Sequence, residues 1–287
     1  MVSLMPRVSA QRALNELVGV RNAIDEQLGT NVLFEGAEAN YLAWAHSAAT
    51  SLRTVLRPSS LENLLFTPAF ARVQQLSARD SPVGTAAVIY ALEDSSRRLR
   101  DAIAGLENLQ VDWAHSLAVV LDTNVLLTHY PRLASIPWTE LSHRGGPKKV
   151  RLGVPMVVVE ELDGLKRSHN KMPGPEGKDE LARDLARRAL RQLAGFFDGG
   201  HHTFQFEDNN LRVVLIADPL EHVRLAEADS EILDQALSLV PFADEVAVAT
   251  ADTAMRFRAQ QLGLTAFAVP KPTPQMSVSS PHPDAMG

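Results

Sequence analysis

Four acidic residues, Asp122, Glu161, Asp229 and Asp252, stand where one predicted element gives way to the next. The first closes the run Val119-Val120-Leu121, in which apolar residues stop at a carboxylate and resume after Thr123 and Asn124. That pattern reads as a buried strand carrying one acid to the top of a sheet. The polar pair after it can cap the next helix or hold the carboxylate's rotamer. Four carboxylates gathered in one place repel one another unless cations hold them. The chemistry such a cluster would serve is metal-dependent hydrolysis of a phosphodiester, with the acids as ligands rather than nucleophiles. The chain has no cysteine, so thiolate ligands, disulfides and a cysteine nucleophile are excluded. A site made of oxygens favours Mg²⁺, Mn²⁺ or Ca²⁺.

Each acid taken singly has a plainer explanation. Asp122, Asp229 and Asp252 precede helical patterns and would serve as helix caps. Glu161 follows Val157-Val158-Val159, read as a strand, and falls in a helix's first turn, where the macrodipole favours an acid. If Leu162 and Leu165 pack on the sheet, Glu161 rather than Glu160 sits on the shoulder near the strand end. Thr250 could set its hydroxyl beside an ion or its water, and Ser230 adjoins Asp229. Asp234, more than a turn beyond Asp229, reads as an exposed partner or a supporting group.

The elements that must position these residues change character near Ser116. Beyond it, strands are expected at Leu117–Leu121, Met156–Val159, Leu211–Ile216, Val246–Thr250 and Ala266–Val269. Helices are expected over Glu160–Arg167, Asp179–Phe197, Asp229–Leu239 and Thr253–Leu262. Strands alternating with helices imply an α/β fold, a mostly parallel sheet flanked by helices, whose ligands bind beyond the carboxyl ends of the strands. His201–Phe206 and Leu211–Ile216 read as a hairpin, and His169–Lys178, with Pro173, Gly174, Pro175 and Gly177, as a flexible loop. His201 and His202, adjacent on one strand, would face opposite ways and so suit a hairpin better than a metal site. Residues 1–114 read as all-α: Leu14, Leu17, Val18, Ile24 and Leu28 recur at helical spacing, as do Leu92, Leu99, Ile103 and Leu106. Ser59-Ser60-Leu61-Glu62 fits a capping box, and Tyr41 and Trp44 read as core or interface residues. A helical region over 1–114, an α/β domain over 115–270 and a disordered tail over 271–287 complete the expected organisation.

Net charge is −6, but the four acids contribute four of those charges, and charge distribution matters more than the total. Lys166 and Arg167 follow Glu161 closely, and Arg256 comes one turn after Asp252, so these three are candidates to hold a substrate phosphate. Arg183 and Arg187 recur at a four-residue step and read either as a phosphate track or as a solvated basic face. The segment Met1–Leu17 carries Arg7, Arg12 and Glu16 and lacks the apolar core of a secretion signal. No apolar run approaches the ~20 residues needed to cross a bilayer, so a cytoplasmic protein without a membrane partner is expected.

With these residues in place, the stretch from about Leu117 to Pro270 resembles a PIN domain, slightly over half of the chain. Leu121-Asp122-Thr123-Asn124-Val125-Leu126 is similar to that family's opening motif. Val154-Pro155 through Glu161-Leu162-Asp163-Gly164-Leu165-Lys166 resembles the second, in the form seen in larger members. Asp229-Ser230-Glu231-Ile232-Leu233 resembles the third and Thr250-Ala251-Asp252-Thr253-Ala254-Met255-Arg256 the fourth. One departure is Ser230, where some relatives carry a second consecutive acid. The resemblance implies Mg²⁺- or Mn²⁺-dependent endoribonuclease activity on single-stranded RNA, with Asp122, Glu161, Asp229 and Asp252 as the metal-binding cluster. A haloacid-dehalogenase-like phosphatase also begins with an acid after a strand, but it wants a second Asp where this chain has Asn124. The non-enzymatic alternative is an RNA-binding or assembly module with an inert site, and a toxin of a toxin–antitoxin pair would share the nuclease chemistry. Residues 1–114 resemble nothing nameable and would suit a homo-oligomer contact, substrate choice or a protein partner.

Overall fold

The computed structural model describes residues 2–29, 36–76, 81–142, 149–207, 210–218 and 222–271. The tail expected beyond Lys271 lies outside the described residues. The helical region comes first. Its helices are α1 (Ala10–Gly29), α2 (Ala37–Leu52), α3 (Pro58–Leu65), α4 (Pro68–Gln74) and α5 (Ser81–Trp113). At 1.5 Å per residue, α5 is about 50 Å long. The apolar stripes read from the sequence are the buried ones: Leu14, Leu17 and Ile24 on α1 pack with Leu92, Leu99, Ile103 and Leu106 on α5. Tyr41 stacks on Trp44 at 5.8 Å between ring centroids, and the Trp44 indole donates to the Val20 carbonyl at 3.2 Å. The capping box expected at Ser59-Ser60-Leu61-Glu62 is absent. Helix α3 starts at Pro58 without a side-chain cap, and Ser60 Oγ instead accepts from Ser3 N at 2.8 Å.

The α/β region follows as β1 (Ser116–Leu121), α6 (Thr123–His129), a 3₁₀ turn, α7 (Trp138–Leu141), β2 (Lys149–Pro155), α8 (Met156–Leu165), β3 (Lys171–Pro173), β4 (Asp179–Leu181) and α9 (Ala182–Phe196). It ends with β5 (Thr203–Gln205), β6 (Leu211–Ile216), α10 (Ala228–Leu239), β7 (Glu245–Ala249), α11 (Thr253–Gln261) and β8 (Thr265–Phe267). The main sheet runs β5-β6-β2-β1-β7-β8, parallel throughout except for β5, which pairs antiparallel to β6 as the expected hairpin. Every residue of β1 is buried, as a central strand covered on both faces requires. From β1 the chain winds outward through β2 to β6, then crosses back to place β7 on the other side of β1. The strand order therefore reverses between β1 and β7, the place where such sheets open a crevice.

Three elements differ from their sequence reading. Met156–Val159 is the start of α8, not a strand, because the strand is already complete at Pro155 and Val158 and Leu162 are buried at helical spacing. Helix α9 begins at Ala182 rather than Asp179, since Asp179–Leu181 is β4. The segment expected as a flexible loop is a hairpin, in which Met172 pairs with Glu180 and Gly174 N donates to the Lys178 carbonyl at 2.8 Å. Gly177 takes its tip through a positive φ of 76°. The apolar core is continuous from the helical region into the sheet through Trp113, the last residue of α5. No described helix is long and apolar enough to cross a membrane.

Candidate active site

Strand β1 delivers Asp122 to the crevice. Its register sets Leu121 opposite Ala249 of β7, and Asp122 N donates to the Ala249 carbonyl at 3.1 Å. The next residue on the β7 side is Thr250, fully buried, whose hydroxyl donates to Asp122 Oδ2 at 2.7 Å. Asp122 occupies the N-cap position of α6 but makes no side-chain capping bond there. The helix-cap explanation therefore accounts for its place but not for its carboxylate, which is buried at 4% exposure. Burial pushes the Asp122 carboxyl above its usual range. Bonds from Thr250 and from the Thr123 backbone pull it down, and the charges of Asp229 and Glu161 push it up again. Asn124 Nδ2 stands 3.5 Å from Asp122 Oδ2, at the limit of a hydrogen bond.

Glu161 comes from the middle of α8 rather than from its first turn, one residue before the buried Leu162. Thr123 Oγ1 donates to its Oε2 at 2.5 Å, so the residue after Asp122 orients the second acid. Asp229 lies inside the first turn of α10, whose N-cap is Glu227, and is not itself a cap. Its Oδ2 accepts from Arg258 of α11 at 2.6 Å. Asp122, Glu161 and Asp229 line one cleft of about 390 Å³, together with Thr123, Asn124, Leu127 and residues of α8 and the β3–β4 hairpin. Asp252 is not among the lining residues. It is exposed and caps α11, accepting from Met255 N at 2.9 Å. Its own N–H donates to Thr250 Oγ1 at 3.0 Å, so one hydroxyl ties the Asp252 turn to the Asp122 carboxylate. The structure thus gathers three of the four acids around one space and leaves the fourth outside its lining, engaged as a cap.

The remaining candidates divide. Ser230 Oγ turns to Glu227 Oε2 at 3.3 Å rather than to the acids. Lys166 pairs with Asp163, and both Arg183 and Arg187 lie beside Asp184, at 3.7 and 3.5 Å, which partly neutralises that face of α9. Arg256 donates to Thr253 Oγ1 at 2.9 Å at the start of α11. Arg167 is exposed and has no ion pair among the described residues. His202 pairs with Asp112 at 3.0 Å, at the end of α5, the structural part expected of the hairpin histidines.

The charged groups lining the cleft are carboxylates only, joined by hydroxyls and amides, and none of the lining residues is a lysine, arginine or histidine. Asp122 has no ion pair with any described cationic side chain. A buried carboxylate without a cation of its own, facing two others of which Asp229 is paired with Arg258, suits a hard divalent ion such as Mg²⁺ or Mn²⁺. A family model for the PIN domain matches residues 119–269, more than half of the chain. The chain belongs to the PIN domain family. PIN domains are typically nucleases that use divalent metals. A search among curated proteins finds no match to this chain.

The PIN domain also holds a constellation that sequence reasoning missed. Asp218, after β6, His222, and Glu231 of α10 place one ligand atom each within 4.8 Å of one another. Their bonding capacity is already used. Glu231, fully buried, accepts from Leu225 N at 2.9 Å and from Gln235 at 3.0 Å and pairs with His222 at 2.6 Å. Burial would raise its pKa, but these bonds and the His222 charge outweigh that and hold it below the usual carboxylate value. Arg224 bridges Asp218 to Glu160, the neighbour of Glu161. The network braces the segment before α10 against α8 and α10, the helices that carry Glu161 and Asp229. The only sign of it in the sequence is the third-motif position Glu231, which helical periodicity assigns to the buried stripe beside Ile232.

Proposed function

We propose that this PIN domain is a metal-dependent endoribonuclease that hydrolyses phosphodiester bonds of single-stranded RNA. The observation that carries the reading is Asp122: a buried carboxylate at the strand-order reversal, opening with Glu161 and Asp229 onto one cleft and lacking a cationic partner. Left without a cation, such a buried charge destabilises the fold. Family membership supports nuclease chemistry, and the all-oxygen donors support Mg²⁺ or Mn²⁺. A divalent ion held there supplies Lewis acidity to the attacking water and to the phosphate. The protein's own residues do the rest. Thr250 and Thr123 fix the rotamers of Asp122 and Glu161, so that the oxygens face the cleft before any ion arrives. Asp252, one hydroxyl away from Asp122, completes the acidic rim. Arg167, just after α8, and Arg256 of α11 draw the RNA backbone toward the cleft, and Lys166, Arg183 and Arg187 add a weaker field because Asp163 and Asp184 share them.

The test uses the full chain and end-labelled single-stranded RNA with Mg²⁺ or Mn²⁺. Cleavage that EDTA stops and Asp122→Asn abolishes is the expected result. Binding of RNA with no cleavage in either metal would favour the alternative, an RNA-binding module whose site is inert.

A further inference from the structure

The cleft that holds the acids also has a wall with no charge on it. Leu165, Met172 and Ala182 make it apolar, and Ser168 and Asn170 are its polar groups. This wall comes from the end of α8, the connection after it, β3 and the first residue of α9, and the ion pair between Glu180 and Arg188 fastens the β3–β4 hairpin to α9. Arg188 in turn sits over the Tyr130 ring, 5.9 Å from its centroid. Asn170 is held at both backbone ends: its N–H donates to Ser168 Oγ at 3.2 Å, and its carbonyl accepts from Ala182 N at 2.8 Å. Its side-chain amide has no hydrogen-bond partner among the described residues. The site therefore presents an unpaired amide on a held backbone, carrying both donor and acceptor, beside a methionine and a leucine in the cleft that the acids line.

We propose that this wall is a nucleobase subsite. It takes the base of the nucleotide bonded to the scissile phosphate, unstacked from its neighbours, with Met172 and Leu165 against its face and the Asn170 amide on its hydrogen-bonding edge. The proposal rests on the nuclease reading and deepens it. Two observations and one consequence support the class of ligand. A volume of about 390 Å³ lies at the small end of ligand pockets, which span ~300–1,000 Å³, and suits one nucleotide rather than a length of strand. Apolar contact combined with a neutral amide is how proteins read unpaired bases, whereas phosphates are met by cations, and the wall has none. A base reaches such a pocket only after leaving its stack, which is easiest in a single strand, so the subsite itself would select against duplex RNA.

The test measures kcat/KM of the full chain with Mn²⁺ on single-stranded RNA oligonucleotides of one defined cleavage site. The flanking nucleotide is varied among the four bases or made abasic. The wild-type protein should separate its best and worst bases by about tenfold or more, the value of one good amide–base pairing, and the abasic oligonucleotide should be poorest. Asn170→Ala should collapse the preference toward unity, leaving the melting temperature and its rise with Mn²⁺ unchanged. Met172→Ala should raise KM for all four bases alike. A variant Asn170→Ala that keeps the wild-type preference, or an abasic oligonucleotide cut as well as an intact one, overturns the subsite while the nuclease reading stands. Failure of the wild-type protein to cut any oligonucleotide removes the nuclease reading and the subsite with it.

Discussion

Asp122 is the residue on which the chemistry and the cost of the site meet. Its carboxyl is raised above the usual range by burial first, with Asp229 and Glu161 adding to the push, so the ionised form destabilises the metal-free fold at neutral pH. Replacing it removes that cost. Asp122→Asn should raise the melting temperature of the metal-free protein by roughly 2–4 °C, the shift expected for ~1 kcal/mol in a chain of this size, and should lose any further rise on adding Mn²⁺. A metal-free melting temperature that drops instead would mean that the carboxylate is stabilising as it stands. Thr250 acts through Asp122. Thr250→Val keeps the buried shape but leaves Oδ2 without its donor, so Mn²⁺ affinity measured by calorimetry should fall ~10–100-fold, and unchanged affinity would dissociate the hydroxyl from the site. At this scale the sequence was readable where a residue's place follows from the end of a strand, as for Asp122 and Thr250. It was not readable where the partner is remote. Arg258 reaches Asp229 across 29 positions, and no spacing announces such a contact.

Among the elements, α8 shows what patterning misses. Three consecutive valines favour a strand by propensity, yet they lie in the first turns of a helix, since the strand before them ends at Pro155 and tertiary packing decides the rest. The true strand, Lys149–Pro155, alternates Val150, Leu152 and Val154 but carries Arg151, buried and satisfied by the Asp112 carbonyl at 3.2 Å, which hid it from a search for apolar runs. The hairpin over the cleft was hidden for a related reason, because its prolines and glycines signal a turn without showing that two short strands pair on either side. Helix α6, which follows Asp122, ends in His129, buried and held neutral, its pKa lowered to about 4 by burial and then by the charge of Arg132. Between the ordinary value of 6.5 and about 4 the unfolded chain takes up a proton that the folded one refuses, so this stability is present above that window and is lost as pH falls through it. Urea unfolding should show a loss of roughly 2 kcal/mol from this group between pH 7 and pH 5, at ~1.4 kcal/mol per pKa unit. The loss should be missing from the same comparison in His129→Phe; an equal loss in both proteins would assign the acid sensitivity elsewhere.

Across the whole molecule, the helical region and the sheet share one apolar core, and the joint is tight where Trp113 of α5 crosses β2. A Cβ added at Gly153 would stand 2.8 Å from Ile216 Cδ1 and 3.1 Å from the Trp113 ring. Gly153→Ala should therefore cost ~1–3 kcal/mol of overpacking in denaturant titration. Gly105→Ala in the middle of α5, where a Cβ meets nothing within 4 Å, should instead stabilise by ~0.4–1 kcal/mol. Equal effects at the two sites would mean that the α5–sheet joint is loose. The two regions also meet at the surface, where Arg57 lies 3.7 Å from the half-buried Asp234 of α10, read as an exposed partner or a supporting group. Alternation of strands and helices was enough to recover the class of fold and the end of the sheet where acids collect. The contact between Trp113 and Gly153 was not recoverable, because it depends on two surfaces that are far apart along the chain and fit only once folded. The most direct measurement of the central claim is anomalous scattering from crystals soaked in Mn²⁺. The account predicts a manganese peak in the cleft within coordinating distance of the Asp122 carboxylate, flanked by Glu161 and Asp229. A peak confined to Asp218, His222 and Glu231, or no peak at Asp122, would contradict it.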